Sequence, residues 1–318
     1  MGTRRSIIER FITQLKDVPE LLPGLHAQLL KRSEEPELGF TSLPGFNQRI
    51  WGLRPGGITV LGGRTSIGKS ALALQFAFDL ADQGREVVFL SLEMTAESLA
   101  ERLFCNLCQL DNYELLSGRF KTEPYLQEKW GVFQKLVNVP LKISSSLGKT
   151  LNDVNTMVEL LQPKPRVIFI DYVQAIRKGV NERMEMDDYI LHFRELCMRY
   201  DIAGVLVSQS SRKVFDEKNK EPSLENLKST GCLEETAETV LLVFWPHFYN
   251  PNLDRNIYKI IIAKQRNGRT GDYFLNFIPE NYRFTELTLE QKENLSRIKG
   301  KVQKIKEQFK AKEANNED

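Results

Sequence analysis

A stretch with the pattern Gly-x-x-x-x-Gly-Lys-Ser constrains this chain more than any other feature. It occupies residues 63–70, follows a β-type run at residues 58–61, and leads into an alanine-rich helical pattern at residues 71–77. A strand, such a loop and a helix in this order form a phosphate-binding P-loop. Its backbone N–H groups and the helix N-terminus point at phosphate oxygens. The sequence therefore predicts a nucleoside triphosphate site.

Lys69 and Ser70 have specific roles in this prediction. Lys69 would reach the β- and γ-phosphates, and the Ser70 hydroxyl would ligate Mg²⁺. An incidental glycine-rich turn is the alternative, but the strand and helix that flank the loop in the required order argue against it. ATP and Mg²⁺ are therefore the expected ligands. The other cofactor-binding positions of the loop are Gly63, Arg64, Thr65, Ser66, Ile67 and Gly68.

The composition is that of a globular chain without a strong charge bias. Its 318 residues are 41% hydrophobic, which is enough for one elaborated α/β domain. There are 44 Lys and Arg against 42 Asp and Glu, a net charge of +2, so a nucleic-acid surface would need local clusters. No apolar run approaches the ~20 residues that cross a bilayer, and the N-terminus lacks a signal-peptide core. We therefore expect a cytoplasmic protein with no membrane partner.

The four cysteines are too few and too scattered to predict a disulfide framework. Cys105 and Cys108 form a Cys-x-x-Cys pair, but they lie within a helical pattern with no second pair nearby. Helix packing is therefore favoured for them over a metal or redox site.

Residues 39–285 predict one α/β domain in which β-type runs alternate with helical patterns. The runs at residues 86–92 and 166–171 are predominantly apolar, as in strands buried on both faces of a parallel sheet. Residues 111–145 predict a helical excursion with Trp130 and Phe133 facing inward. Three later β-type runs have no helix between them, so the sheet is expected to finish with antiparallel strands at its C-terminal edge. These runs are residues 239–245, 257–263 and 273–278.

The two ends of the chain are predicted to be helical additions to this domain. Residues 1–38 show helical spacing at residues 7–15, and Pro19 and Pro23 are expected to interrupt the segment after it. The first helix could pack on its own domain or dock on a neighbouring subunit, and both interpretations stay open. Residues 286–318 predict a charged amphipathic helix, for which docking on the core is favoured over a coiled coil.

Polar residues at the ends of three predicted strands are candidates for the chemistry. Asp171 fits the role of holding Mg²⁺, Glu93 can polarise an attacking water, and Gln209 can hydrogen-bond the γ-phosphate. The carboxyl ends of parallel strands converge on the ligand crevice of an α/β sheet. The three side chains are therefore expected to surround the same triphosphate.

Residues 255–271 form a basic segment that contains no Asp or Glu. One interpretation is the solvated face of a β-hairpin. The other is an arginine finger that projects into the nucleotide site of another subunit, a contribution worth ~10³–10⁵ in rate where it operates. The basic residues are Arg255, Lys259, Lys264, Arg266 and Arg269.

Five motifs carry a resemblance to a known family. They are Gly63–Ser70, Ser91–Met94, Phe169–Gln174, Val207–Gln209 and Ala263–Gly268. Their order and approximate spacing are similar to those of the RecA-like ATPase domain of DnaB-type replicative helicases, over residues 39–285. The Ser-Leu-Glu-Met and Lys-Gln-Arg-Asn-Gly pieces are the specific ones, since many ATPases have a P-loop. The resemblance implies a RecA-like fold with a mostly parallel central sheet flanked by helices.

The resemblance also implies a ring hexamer that binds ATP between its subunits. Such a ring translocates along single-stranded DNA and unwinds the duplex in replication. Lys69 and Ser70 would hold the phosphates and Mg²⁺, with Asp171 on the metal. Glu93 would activate water and Gln209 would sense the γ-phosphate.

The resemblance assigns further residues to contacts with other molecules. Lys264 and Arg266 would come from the adjacent subunit. The family's DNA-binding channel loop matches residues 226–231, where this chain has Lys-Ser-Thr-Gly in place of Arg-Glu-Ser-Gly. A lysine still neutralises a phosphate but lacks the arginine fork, so the grip on DNA is expected to differ. The residues of this loop that would contact DNA are Lys228, Ser229, Thr230 and Gly231.

The family's globular N-terminal domain has no counterpart in the 38 residues that precede the core. These residues resemble at most the linker helix that docks one subunit on the next, so a primase partner is not implied, while a loader protein is a candidate partner. Three functions stay open: a DNA helicase or translocase, a DNA-stimulated accessory ATPase that does not unwind, and a nucleotide-switched helicase partner. Glu93 argues against the third, because a pure switch needs no water-activating acid.

Overall fold

The computed structural model describes residues 17–32, 38–119, 122–145, 151–175, 182–210, 221–225, 227 and 231–297. Three predicted features lie outside the described residues. They are the first helix near residues 7–15, the loop residues Lys228, Ser229 and Thr230, and residues 298–318 of the tail.

A single sheet organises the described part of the chain. In chain order its strands are β1 (Ile58–Gly63), β2 (Val87–Ser91), β3 (Leu141–Ser145), β4 (Val167–Asp171), β5 (Ala203–Gln209), β6 (Thr239–Phe244), β7 (Ile257–Gln265), β8 (Gly271–Ile278) and β9 (Arg283–Glu286). The spatial order is β3-β2-β4-β5-β1-β6-β7-β8-β9. The strands from β3 to β6 are parallel, and β7, β8 and β9 continue the sheet antiparallel. The predicted α/β fold with antiparallel strands at its C-terminal edge is confirmed.

Helices cover both faces of this sheet. The helices that the structure describes are α1 (Val18–Arg32), α2 (Pro44–Ile50), α3 (Lys69–Asp82), α4 (Ala96–Cys108), α5 (Asn112–Leu116), α6 (Glu123–Leu136), α7 (Leu151–Leu160), α8 (Glu182–Tyr200), α9 (Gly231–Thr236) and α10 (Pro246–Tyr249). Residues 289–297 are also helical. Successive side chains of a strand point to opposite faces. Accordingly, Val167 and Phe169 of β4 pack in a core with α3 and α4, while Ile168 and Ile170 pack in a second core with α7 and α8.

Three local predictions were wrong. The predicted helical excursion of residues 111–145 is not helical throughout, because Leu141–Ser145 pair with β2 and form the edge strand β3. Pro23 lies inside α1 and does not end it, and the apolar side chains described in the first part of this helix are exposed, Val18 by 71% and Leu22 by 53%. In α6, Phe133 is buried as predicted, but Trp130 is 50% exposed. The rings of Trp130 and Phe104 pack in a T-shaped arrangement with 5.6 Å between their centroids, which covers only part of the indole.

The four cysteines are free thiols, and Cys105 and Cys108 are buried in α4. Burial raises the pKa of Cys105 to about 11, so the thiolate that a metal or a redox partner needs is disfavoured. Within the described ranges, no group of three or more His, Cys, Asp and Glu side chains could hold a metal ion. Among the helices that the structure describes, none is long and apolar enough to cross a membrane.

Candidate functional site

The P-loop connects the carboxyl end of β1 to the amino end of α3. Gly68 is the N-cap of α3 with φ +95, a backbone conformation that glycine adopts without strain. Gly63 needs its missing side chain for another reason, because a Cβ there would lie 2.7 Å from Val243 Cγ2. The buried Tyr258 hydroxyl donates to the Ile67 carbonyl over 2.9 Å and fixes the loop from below. The loop therefore presents its backbone at the start of a helix, where phosphate binds.

Lys69 is a buried cation at this helix start, with 6% of its surface exposed. Its Nζ donates to the Arg64 carbonyl over 2.6 Å, across the mouth of the loop. Burial lowers the pKa of Lys69 to about 8, although the charges of Asp171 and Glu93 act in the opposite direction. A bound phosphate would bring further negative charge next to Lys69 and would favour its charged ammonium form.

Asp171 ends β4 beside the P-loop and is 1% exposed. Burial raises its pKa, although a hydrogen bond with the Ser70 side chain and the charge of Lys69 act in the opposite direction. Its Oδ2 is buried and has no hydrogen-bond partner in the described part of the chain. An unpartnered carboxylate oxygen next to a serine hydroxyl fits Mg²⁺, which takes hard oxygen ligands.

The other two strand-end residues lie close by because of the strand register. Ser91 of β2 pairs with Asp171, and this brings Glu93, two residues further along, to the same edge of the sheet. Gln209 ends β5 opposite Gly63 of β1. Thr65 in the loop donates through Oγ1 to Gln209 Oε1 over 3.4 Å.

These residues line one cleft of about 210 Å³ at the carboxyl edge of the parallel strands. The cleft therefore brings the P-loop residues Lys69 and Ser70 together with Glu93, Asp171 and Gln209. This agrees with the expectation that the carboxyl ends of parallel strands converge on one crevice. The full lining is Thr65, Ser66, Gly68, Lys69, Ser70, Glu93, Met94, Arg102, Asp171, Tyr172 and Gln209.

Arg102 and Tyr172 are cleft residues that sequence reasoning missed. Arg102 projects from α4, and its guanidinium lies 5.1 Å from the centre of the Tyr282 ring. Its position on a helix, directly after Glu101, has no signal that separates it from a solvated arginine. Tyr172 directly follows Asp171, and its side chain hydrogen-bonds Gln209.

The predicted finger residues, Lys264 and Arg266, lie at the end of the sheet opposite the cleft, where the parallel strands begin. The Arg266 backbone N–H donates to the Glu238 carbonyl, and the Glu238 N–H donates to the carbonyl of Ile58, where β1 begins. The Arg266 side chain donates to the Glu235 carbonyl over 2.8 Å, and Lys264 donates to the Glu234 carbonyl. Burial and the charge of Arg266 lower the pKa of Lys264. Arg266 remains 40% exposed.

The interpretation of residues 255–271 as a solvated basic face is wrong for Lys259. It is buried and pairs with both Glu221 and Asp272 at 2.8 Å. Burial disfavours its charge, but the hydrogen bonds to Asp272 and Glu221 outweigh this effect and raise its pKa. Arg255 pairs with Glu280. These two cations are therefore engaged within the chain.

Of the predicted DNA loop, residues 226–231, the structure describes Leu227, which is buried, and Gly231. Gly231 begins α9. Its missing side chain has open space around it, since a Cβ there would meet nothing within 4 Å.

Fold and cleft together define an α/β protein of the P-loop nucleotide-binding class, with two acids, a glutamine and a buried lysine around one phosphate site. The chain belongs to the family of the DnaB-like helicase C terminal domain, whose family model matches residues 39–286. The family resemblance predicted from the motifs is thereby confirmed.

Individual relatives agree with this family. The chain is 34% identical over 241 residues to a probable plasmid replicative DNA helicase of Chlamydia trachomatis serovar L2, covering 74% of this chain and 52% of the relative. It is 29% identical over 261 residues to the replicative DNA helicase DnaB of Geobacillus stearothermophilus, covering 78% and 56%. Its fold is similar to the solved structure of a DnaB-like replicative helicase, with a TM-score of 0.76 at 22% identity, covering 86% of this chain and 68% of that one. The chain thus spans about half the length of the two curated relatives.

Proposed function

We propose that this chain is the motor of a DnaB-type replicative DNA helicase. It hydrolyses ATP at the subunit interfaces of a ring hexamer, moves along single-stranded DNA and unwinds the duplex. Its relatives are named replicative DNA helicases, which supports the proposal. Residues 39–285 form the motor domain, with residues 1–38 as a linker and residues 286–318 as a C-terminal helix. A cytoplasmic location and a ring loader as a candidate partner are part of this proposal.

In this proposal each catalytic site is shared by two subunits, and the cleft is the half contributed by the subunit that holds the nucleotide in its P-loop. Lys69 exchanges its bond to the Arg64 carbonyl for phosphate oxygens of the substrate. Glu93 stands exposed at the cleft and accepts a proton from the attacking water, while Gln209 hydrogen-bonds the γ-phosphate. Mg²⁺, held by Ser70 and by the unpartnered oxygen of Asp171, supplies neutralising charge for the phosphates when bound.

The observation that carries the proposal of shared sites is the distance between the cleft and the basic pair Lys264 and Arg266. The cleft lies beyond Gly63, whereas Arg266 is level with Ile58 at the other end of β1. These cations therefore cannot reach the phosphates of their own chain. Because they are partly exposed at the end of the sheet opposite the cleft, they can contact the nucleotide bound in the cleft of a neighbouring subunit. In the same ring, Lys228, Ser229, Thr230 and Gly231 would contact the DNA backbone in the channel.

A forked-duplex unwinding assay tests this function. The wild-type chain with ATP and Mg²⁺ should separate the strands, and Lys69→Ala should abolish unwinding and ATP hydrolysis. Lys142→Ala is the matched control, because Lys142 is an exposed lysine of edge strand β3 that pairs with Glu86. The mass in solution should rise to that of a hexamer with an ATP analogue and single-stranded DNA.

Other outcomes would redirect the proposal. DNA-stimulated hydrolysis without strand separation would identify an accessory ATPase of the same fold. Tight ATP binding with almost no turnover, with or without DNA, would identify a nucleotide-switched partner.

A further inference from the structure

The side chain of Gln174 joins the ends of two strands at the edge of the cleft. Gln174 lies in the 3₁₀ turn Val173–Ala175 that follows β4. Its Nε2 donates to Ser208 Oγ over 2.6 Å and to the Gln209 carbonyl over 3.3 Å. Its Oε1 accepts from the Gln209 N–H over 3.1 Å. One carboxamide therefore pairs with both backbone polar groups of Gln209.

This pairing takes the place of a strand that has ended. The parallel pairing of β4 with β5 stops at Ile170 and Leu206, so β4 offers no backbone partner at the level of Gln209. A carboxamide has the same donor and acceptor as a peptide unit and can replace it in a ladder. On its other side Gln209 pairs with Gly63, and the Ser210 N–H donates to the Gly63 carbonyl over 3.0 Å. The backbone of Gln209 is thus held from both sides.

Holding the backbone of Gln209 determines where its side chain can act. The carboxamide of Gln209 contacts Thr65 of the P-loop and Tyr172, and it lines the cleft. A group that must hydrogen-bond one phosphate loses its effect when it is displaced by about 1 Å. Release from Gln174 would leave Gln209 fixed on one side only.

We propose that Gln174 is a positioning residue that holds Gln209 where it can detect the γ-phosphate, and that it thereby sets the preference for triphosphate over diphosphate. This inference rests on the proposed function for the role of Gln209. Gln174 touches neither nucleotide nor water in this scheme and acts through Gln209 alone.

A purely structural role for Gln174 makes a different prediction. Loss of its hydrogen bonds would then weaken the edge of the sheet and lower affinity for every nucleotide together. If Gln174 has a positioning role, its loss lowers the affinity for a triphosphate. The affinity for ADP, which has no γ-phosphate, stays unchanged.

The test compares the affinities of the purified full chain for AMP-PNP and ADP. Gln174→Met, of similar size but without hydrogen bonds, should lower the affinity ratio of AMP-PNP to ADP about tenfold and leave ADP binding within about twofold. Gln209→Ala should lower the ratio equally, and the double variant should be no worse than Gln209→Ala alone, since the two residues act as one unit. Gln174→Glu keeps an acceptor for the Gln209 N–H and should lose less.

The matched control is Gln83→Met. Gln83 also donates to two backbone carbonyls, those of Gly39 and Asp79, at 2.8 and 2.7 Å. It lies beyond the other end of α3, about 21 Å from Lys69 at 1.5 Å per residue. Its substitution should leave the affinity ratio unchanged.

Several outcomes would overturn the inference. They are an equal loss of ADP and AMP-PNP affinity in Gln174→Met, additive losses in the double variant, and a wild-type chain without any preference for AMP-PNP. If Gln174→Met does not fold, an unchanged ratio in Gln174→Glu together with an unchanged melting temperature would overturn it as well. A wild-type chain that neither hydrolyses ATP nor unwinds DNA would refute the proposed function, whereas the affinity ratio would still test Gln174.

Discussion

Mixing Arg266→Ala subunits with Glu93→Ala subunits gives the sharpest test of a site shared between chains. Arg266 is linked through Glu238 to Ile58, at the start of β1. Gly63, where the P-loop begins, lies five residues later, about 16 Å away at 3.3 Å per residue. A catalytic hydrogen bond spans only about 3 Å. Arg266 therefore has to act on a neighbour or not at all.

The size of the expected recovery follows from this arrangement. Each variant alone should lose about 10³-fold or more in kcat, Arg266→Ala through the missing finger and Glu93→Ala through the missing base. Each interface takes Glu93 from one chain and Arg266 from the next. In an equimolar random mixture, about a quarter of the interfaces combine both intact halves. The mixture should therefore reach up to about a quarter of the wild-type rate.

The assay is steady-state ATP hydrolysis with single-stranded DNA, at constant total protein and varied mixing ratio. The rate should follow the product of the two fractions, with its maximum at equal amounts. Lys69→Ala mixed with Glu93→Ala is the matched control, because both changes damage the same half and no interface recovers. Absence of recovery in the first mixture, or equal recovery in the control, would refute a finger supplied by another chain.

Three further predictions concern single residues. Asp171→Asn keeps an acceptor for Ser70 but loses the charge, so the Mg²⁺-induced gain in ADP affinity should fall about tenfold in calorimetry; an unchanged gain would remove Asp171 from the metal site. Lys228→Ala should weaken DNA binding and reduce the slope of log K against log salt by about 0.7, independently of sequence. An unchanged slope would remove Lys228 from the DNA site. Burial raises the pKa of Asp79 from 3.8 to about 6, so the folded chain binds this proton more tightly and wild-type stability falls as the pH rises across that interval. Asparagine does not titrate, so between pH 3.8 and about 6 the free energy of unfolding of Asp79→Asn should rise by about 3 kcal/mol relative to that of the wild type. Urea unfolding at several pH values measures this, and a difference between the two proteins that does not change with pH would contradict it.

The centre of the sheet could be predicted from sequence because strands buried on both faces carry apolar residues at most positions. Every residue of β1, β2 and β4 is buried. The short strand β3 gave no such signal, since it lies at the edge of the sheet and is buried at no position. Edge strands lack a second pairing partner and one buried side, and their composition is correspondingly mixed.

The half of the site within one chain could also be predicted, because each of its residues lies in the P-loop motif or at the end of a recognisable strand. The burial of Lys259 could not, since Glu221 and Asp272 become its partners only when the chain folds. Gln174 lies in a recognised motif, but its role depends on where β4 stops pairing with β5. A linear sequence contains no sign of that position.

The opposite placement of cleft and basic pair also bears on the kind of assembly that completes the site. A two-fold dimer joins one surface patch to the same patch of its partner, so both edges of this sheet would have to meet within a single interface. A head-to-tail contact needs only the cleft edge of one chain and the Arg266 edge of the next, and each chain presents both. Repetition of such a contact closes into a ring when the rotation allows it. The mass in solution separates the two arrangements, because a two-fold contact stops growing at two chains and a head-to-tail contact does not.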